Sequence, residues 1–142
     1  MADFVSHRKF TIEWGYCDPA GIVFNSRFFE FFDEGTWLLF ETVLSVSRSE
    51  LFATYDLMGI PLVDARARFF VPIKFGETVE MASQVSEFRR SSFDVEHRLT
   101  IRGELAVEGR ETRVWATSDK DDPARIKSKP IPAEVIERFK AG

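Results

Sequence analysis

Residues 15–32, GYCDPAGIVFNSRFFEFF, set one carboxylate, Asp18, in a turn with Pro19 and Gly21, directly ahead of a helix-forming run. An Asp-Pro-x-Gly segment reads first as a plain turn. The carboxylate bonds nearby backbone donors, Pro fixes φ, and Gly accepts φ > 0. Its position adds a chemical reading. A helix start carries orphan N–H groups and the positive end of the helix dipole. A carboxylate held beside such donors can serve as nucleophile or base toward a carbonyl whose developing oxyanion the amides stabilise.

The other chemical side chains are less well placed. Cys17 is the only cysteine. A thiolate needs a base, usually His, and the two histidines are His7, in an N-terminus expected to fray, and His97, in a distant strand. Cys17 therefore reads as a small buried side chain. His97 falls on the apolar face of its strand and reads as a satisfied core or interface histidine. One Cys and two distant His make no metal-ligand spacing, so no metal is expected.

The elements that must position Asp18 are legible from periodicity. KFTIEWGY (9–16) alternates, with Phe10, Ile12, Trp14 and Tyr16 on one face, as a half-buried strand does. A helix follows from Asn25 or Ser26, both good N-caps, to about Leu44. Its apolar residues cover more than one stripe, so something must wrap it. Ser47-Arg-Ser-Glu50 is a capping box opening a second helix that ends near Met58-Gly59. Strands are expected over 61–70, 77–89, 92–102 and 105–118, the last three joined as hairpins. Three prolines punctuate the tail before AEVIERF, a short terminal helix. One sheet curled around one apolar helix satisfies this order. A lone protomer would leave a sheet edge and aromatic surface bare, so a dimer joining the sheets is expected.

Composition narrows the class. The chain has 142 residues, 44% hydrophobic and 30% charged, enough for one domain with a proper core. A net charge of −4 with no basic block gives no electrostatic reason to bind nucleic acid. Fifteen Phe, six of them in 24–40, make the core or a pocket rich in rings. The N-terminus MADFVSHRKF has no apolar signal region, and no run of 18 apolar residues occurs, so no membrane partner is expected. With a single cysteine, a cytoplasmic location is the simpler expectation.

Three segments, IEWGYCDPAGIVFNSRFFEFFDE, GIPLVDARARFFVPIKFGETVEM and EFRRSSFDVEHRL, resemble in this order the 4-hydroxybenzoyl-CoA thioesterase family of hot-dog-fold acyl-CoA thioesterases. The similarity runs from residue 9 to about 118. The first segment is the specific one; the P-x-x-x-G-E/D-x-V string in the second is common to hot-dog proteins. The resemblance implies an α+β hot-dog fold, an antiparallel sheet wrapped around one long central helix in the order βαββββ. That fold would fill a single domain, 1–142, with its core at 9–118 and a tail at 119–142. It implies a homodimer or homotetramer with sites at the subunit interface. The implied reaction is hydrolysis of an acyl-CoA to free acid and CoA, without metal or other cofactor, coenzyme A being part of the substrate. Benzoyl, 4-hydroxybenzoyl, phenylacetyl and short aliphatic acyl groups all remain open.

Residue by residue, Asp18 takes the role of nucleophile, giving a mixed anhydride, or of base for water. The polarising donor maps onto the backbone amide of Asn25, where the family commonly carries Tyr. An amide donor survives that change, while the pocket's shape need not. Asp64 lies in the strand that the family places beside the site. Arg89 and Arg90 match the basic residues that meet CoA phosphates, and Ser91 stands where relatives can carry Lys. Arg125, Lys127 and Lys129 could add to them from the tail. Two other functions use the same fold. A non-catalytic acyl-CoA or acyl-carrier binder has no need of Asp18. A hydratase or dehydratase needs a His with an acidic partner, and only His97 is available.

Overall fold

Strand β1 (Val5–Thr11) begins earlier and stops sooner than the alternation over 9–16 indicates, and His7 lies within it, not in a frayed end. The computed structural model describes residues 4–141. β1 pairs with β3 (Thr78–Phe88), and the register ends at Thr11↔Thr78 because β3 itself starts there, after the Gly76 turn. With no partner left, residues 13–17 bond locally. Tyr16 N–H donates to Glu13 O and Cys17 N–H to Trp14 O, making a 3-10 turn over Trp14–Tyr16. Trp14, expected on the buried face, is 57% exposed.

Helix α1 (Arg27–Leu44) matches its expected span. Its buried residues recur at helical spacing (Phe28, Phe31, Phe32, Gly35, Thr36, Leu39, Phe40 and Val43), which keeps one wide face on the sheet. It ends where Ser45 turns left-handed (φ 55°), and Arg138 donates to the orphan carbonyl of Val43 at 2.9 Å. In α2 (Arg48–Thr54), the Ser47 hydroxyl accepts the Glu50 N–H and donates to the Glu50 carboxylate, so the box closes through side chains.

β2 (Leu62–Phe69), β4 (Ser92–Ile101) and β5 (Glu104–Val114) complete an antiparallel sheet of order β1-β3-β4-β5-β2. β3, β4 and β5 form a meander at its centre, and β1 and β2 are its edges. The strand expected over 105–118 breaks after Val114. Ala116–Ser118 (β6) leaves the sheet and pairs with β7 (Ile126–Ser128), a strand with no apolar alternation to announce it. α3 (Ala133–Lys140) packs Val135 and Phe139 into the core.

Two apolar clusters lie between α1 and the sheet. One gathers Phe28, Phe31, Phe32, Met81, Leu99 and Val107 around the first half of α1. The other gathers Leu39, Phe40, Phe93, Trp115 and Phe139 around the second half. Two glycines let helix and sheet meet where the clusters divide. A Cβ on Gly35 would lie 2.5 Å from Met81 Cε, and one on Gly109 would overlap the Phe32 ring.

Candidate active site

The Asp18 turn is held by a small ladder of backbone bonds. Asp18 N–H donates to Ile22 O (3.0 Å), Phe24 N–H to Tyr16 O (2.9 Å), and Gly21 N–H to Asp18 O (2.9 Å). A third segment joins it, with Val23 N–H donating to Ile73 O (2.8 Å) and Phe75 N–H to Gly21 O (2.9 Å). Gly21 has φ +79°, which is why glycine stands there. The half-buried Asp18 carboxylate is oriented by Ala20 N–H, which donates to Oδ1 at 2.8 Å. Oδ2 takes no hydrogen bond from any described residue.

The ladder delivers the chain directly into α1. Ser26 is the N-cap, but its side chain makes no capping bond. Arg27, Phe28 and Phe29 N–H donate instead to the carbonyls of Phe24, Asn25 and Ser26, in the i→i+3 pattern of a tightened first turn. The N–H groups of Asn25 and Ser26 donate to nothing among the described residues. Asn25 also lines a cleft of about 320 Å³. Its other walls are apolar: Ile22, Val23 and Phe28 on the helix side, and Phe69 to Ile73 running out of β2. Asp18 sits on the opposite strand of the ladder and is not in that lining.

The remaining candidates lie elsewhere. Asp64, on the outer edge strand, accepts from Arg66 Nε at 2.9 Å and is not in the cleft. Arg89 is engaged by its own neighbours. It donates to Asp94 Oδ1 (2.6 Å), Glu87 (2.8 Å) and Ser92 (2.8 Å). The bonds that Asp94 accepts from Arg89, Thr112 and Arg110 outweigh burial and hold its carboxyl well below the usual carboxylate range. The Arg90 guanidinium makes no hydrogen bond or ion pair among the described residues, although the Arg90 carbonyl accepts the Ile131 N–H at 2.8 Å. Arg90 lines a second cleft, of about 620 Å³, whose charged walls mix Lys120, Lys127 and Lys129 with Asp56, Asp119 and Asp121, and Lys129 Nζ donates to Tyr55 O at 3.0 Å. Cys17 is half-buried, its Sγ 3.7 Å from Glu13 O.

His97 is fully buried, as its place on the apolar face implies. Its Nδ1 lies 2.7 Å from Ser83 Oγ and its Nε2 3.0 Å from Glu111 Oε1. A Ser–His–Glu chain has the connectivity of a hydrolytic triad, but all three side chains are at most 2% exposed under α1. No substrate reaches them. The hydratase reading loses its only base for the same reason. Sequence patterning missed two features. The wall from Phe69 to Ile73 could have been suspected from its four apolar residues around Pro72. Glu111 and Arg113 gave no signal, because alternate charges in GRETRV read as a solvated face.

A five-stranded antiparallel sheet around α1, with a carboxylate turn at the helix start, defines the class: a hot-dog thioesterase fold. The chain belongs to the thioesterase-like superfamily, whose model matches residues 12–139. The 4-hydroxybenzoyl-CoA thioesterase of Pseudomonas sp. strain CBS-3 is 28% identical over 131 residues, 89% of this chain and 91% of that one. The structure of that organism's 4-hydroxybenzoyl-CoA thioesterase superposes with a TM-score of 0.86 at 25% identity, covering 96% of this chain and 99% of that one. A gentisyl-coenzyme A thioesterase structure superposes at 0.80 with 28% identity over 94% and 99%. No described helix is long and apolar enough to cross a membrane.

Proposed function

We propose that this protein hydrolyses acyl-CoA thioesters of aromatic acids, releasing the acid and CoA. The observation that carries the reading is the Asp18 turn feeding α1. It joins a carboxylate with one unoccupied oxygen to a helix start whose Asn25 N–H has no described partner and where Asn25 lines an apolar cleft. Asp18 acts as nucleophile or as base for water. The Asn25 amide polarises the thioester oxygen, and the helix dipole favours the charge that develops there. Phe28, Phe69 and Phe70 offer rings to an aromatic acyl group. That the relatives are named for aromatic acyl-CoA substrates supports this choice.

Arg90, with Lys127 and Lys129 beside it, is the stronger candidate for the CoA phosphates; Arg89 is bound to Asp94 and Glu87. The active species is a dimer. β2 is an unpaired edge, and Leu62, Val63, Phe69 and Phe70 on and beside it are each 46–61% exposed, more apolar surface than a lone edge strand usually shows. The test is thiol release from benzoyl-, 4-hydroxybenzoyl-, phenylacetyl- and short-chain acyl-CoA by wild type and Asp18→Asn. Wild type should turn over an aromatic ester, and the variant should lose about 10²–10⁴ in kcat while still binding it. Wild-type turnover by the pure variant would reject the mechanism.

A further inference from the structure

The division between the two apolar clusters is filled by a polar layer. Thr36 Oγ1 donates to Glu111 Oε1 (2.5 Å), and Arg113 Nη2 donates to Glu111 Oε2 (2.6 Å) and to Asp33 Oδ1 (2.8 Å). Arg113 Nη1 donates to Ile60 O (3.0 Å). An ionised Glu111 only accepts, so His97 Nε2–H donates to it, while Nδ1 is hydrogen-bonded to the Ser83 hydroxyl at 2.7 Å. The layer joins α1, β3, β4, β5 and the segment leading into β2. Thr36, Ser83, His97, Glu111 and Arg113 are each at most 5% exposed.

Stability is a poor reason for such a layer. Burying an ion costs several kcal/mol, and apolar side chains of similar volume often stabilise as well or better. Arg113 Nε, moreover, is buried with no partner among the described residues. What apolar contacts lack is direction. Hydrophobic burial of Phe28 and Phe31 is non-directional, and Phe32, seated on Gly109, keys the helix to the sheet by shape alone. The helix start has no side-chain cap to fix it locally. Sliding α1 by one residue moves a side chain about 1.5 Å and turns it about 100°, enough to part Thr36 from Glu111.

We infer that Thr36, Glu111 and Arg113 are positioning residues: they set the axial register of α1 on the sheet, and so place the Asn25 amide relative to Asp18. This rests on the hydrolase reading above. The test compares Thr36→Val, which keeps the shape and loses the hydroxyl, with Thr36→Ser, which keeps the hydroxyl. Each is measured for kcat and KM on the best aromatic acyl-CoA, at a temperature where circular dichroism shows the variants folded. Register control predicts kcat about 10- to 100-fold lower in Thr36→Val, with KM within about twofold, and near wild-type kcat in Thr36→Ser, since misplacement of about 1 Å costs on that scale. A packing role predicts the opposite order, because Val fills the site better than Ser, and Thr36→Val with wild-type kcat overturns the inference. A second variant replaces the layer with apolar residues (Thr36→Val, Ser83→Ala, His97→Leu, Glu111→Met and Arg113→Met). If it folds and keeps wild-type kcat, the inference also fails. If it does not fold, the Thr36 pair decides. A wild type that cleaves none of the thioesters rejects the hydrolase reading itself, and this inference with it.

Discussion

Two adjacent arginines, alike in sequence, are set apart by a single buried carboxylate. Asp94 points to the outer side of the sheet, yet its side chain is only 4% exposed, because Arg89, Arg110 and Thr112 cover it. Arg89 is therefore part of the sheet's surface structure, while Arg90 keeps its guanidinium available. Arg90→Ala should raise KM for a full CoA thioester severalfold or more and leave KM for its pantetheine analogue unchanged, because the analogue has no nucleotide phosphates. Steady-state kinetics on both substrates check this, and equal damage to both would remove Arg90 from phosphate binding. The turn that carries Asp18 and the helix start beside Asn25 were legible because turn chemistry and helix starts are local. Glu111 and Arg113 were not, because an inward charge is revealed only by the partner it meets across the fold. No spacing within GRETRV encodes Thr36.

At the scale of elements, the polar layer ties stability to pH. Burial works to raise the Glu111 carboxyl, but hydrogen bonds from His97 and Arg113 overcome it and bring it down from 4.5 to about 2. A carboxyl depressed in the folded state contributes stability that is fully present above its unfolded value and is lost as pH falls through its folded one. Thermal midpoints should therefore drop as pH falls from about 4.5 to about 2, with Asp94, also depressed, adding to the slope. Glu111→Gln should be less stable at neutral pH, where it leaves Arg113 without its buried counter-charge, and should show a shallower fall in that window. A melting series on both proteins reads this, and an unchanged slope would mean that Glu111 does not couple to folding. The elements themselves were mostly readable. α1 and the central strands follow their apolar periods closely. The misses came where periodicity continued but pairing stopped: alternation runs on through Trp14 and Tyr16, whereas β3 begins only at Thr78, opposite Thr11.

For the whole molecule, the two edges differ in what they expose. β1 carries Arg8 and Lys9 and β2 carries Asp64, Arg66 and Arg68, charges that discourage pairing, but β2 also presents exposed Leu62, Val63 and Phe69, with Phe70 beside it. Assembly through β2 should make a dimer the smallest active species. Dilution followed by light scattering and thiol release should lose dimer and activity together, and a fully active monomer would refute the shared interface.

The Asp18 turn is fastened almost wholly by main-chain groups. Residues 16–18, 22–24 and 73–75 exchange N–H and C=O bonds, and only Gly21, by its positive φ, constrains residue type through the backbone. The information that shapes this turn is therefore spread thinly over the alphabet: most side chains here can be rewritten while the path of the chain stays as it is. Such economy helps explain how a structure sharing a quarter of its residues with this chain still superposes on it with a TM-score of 0.86. Drift can change the residues that line the neighbouring cleft without redrawing the turn that carries the carboxylate.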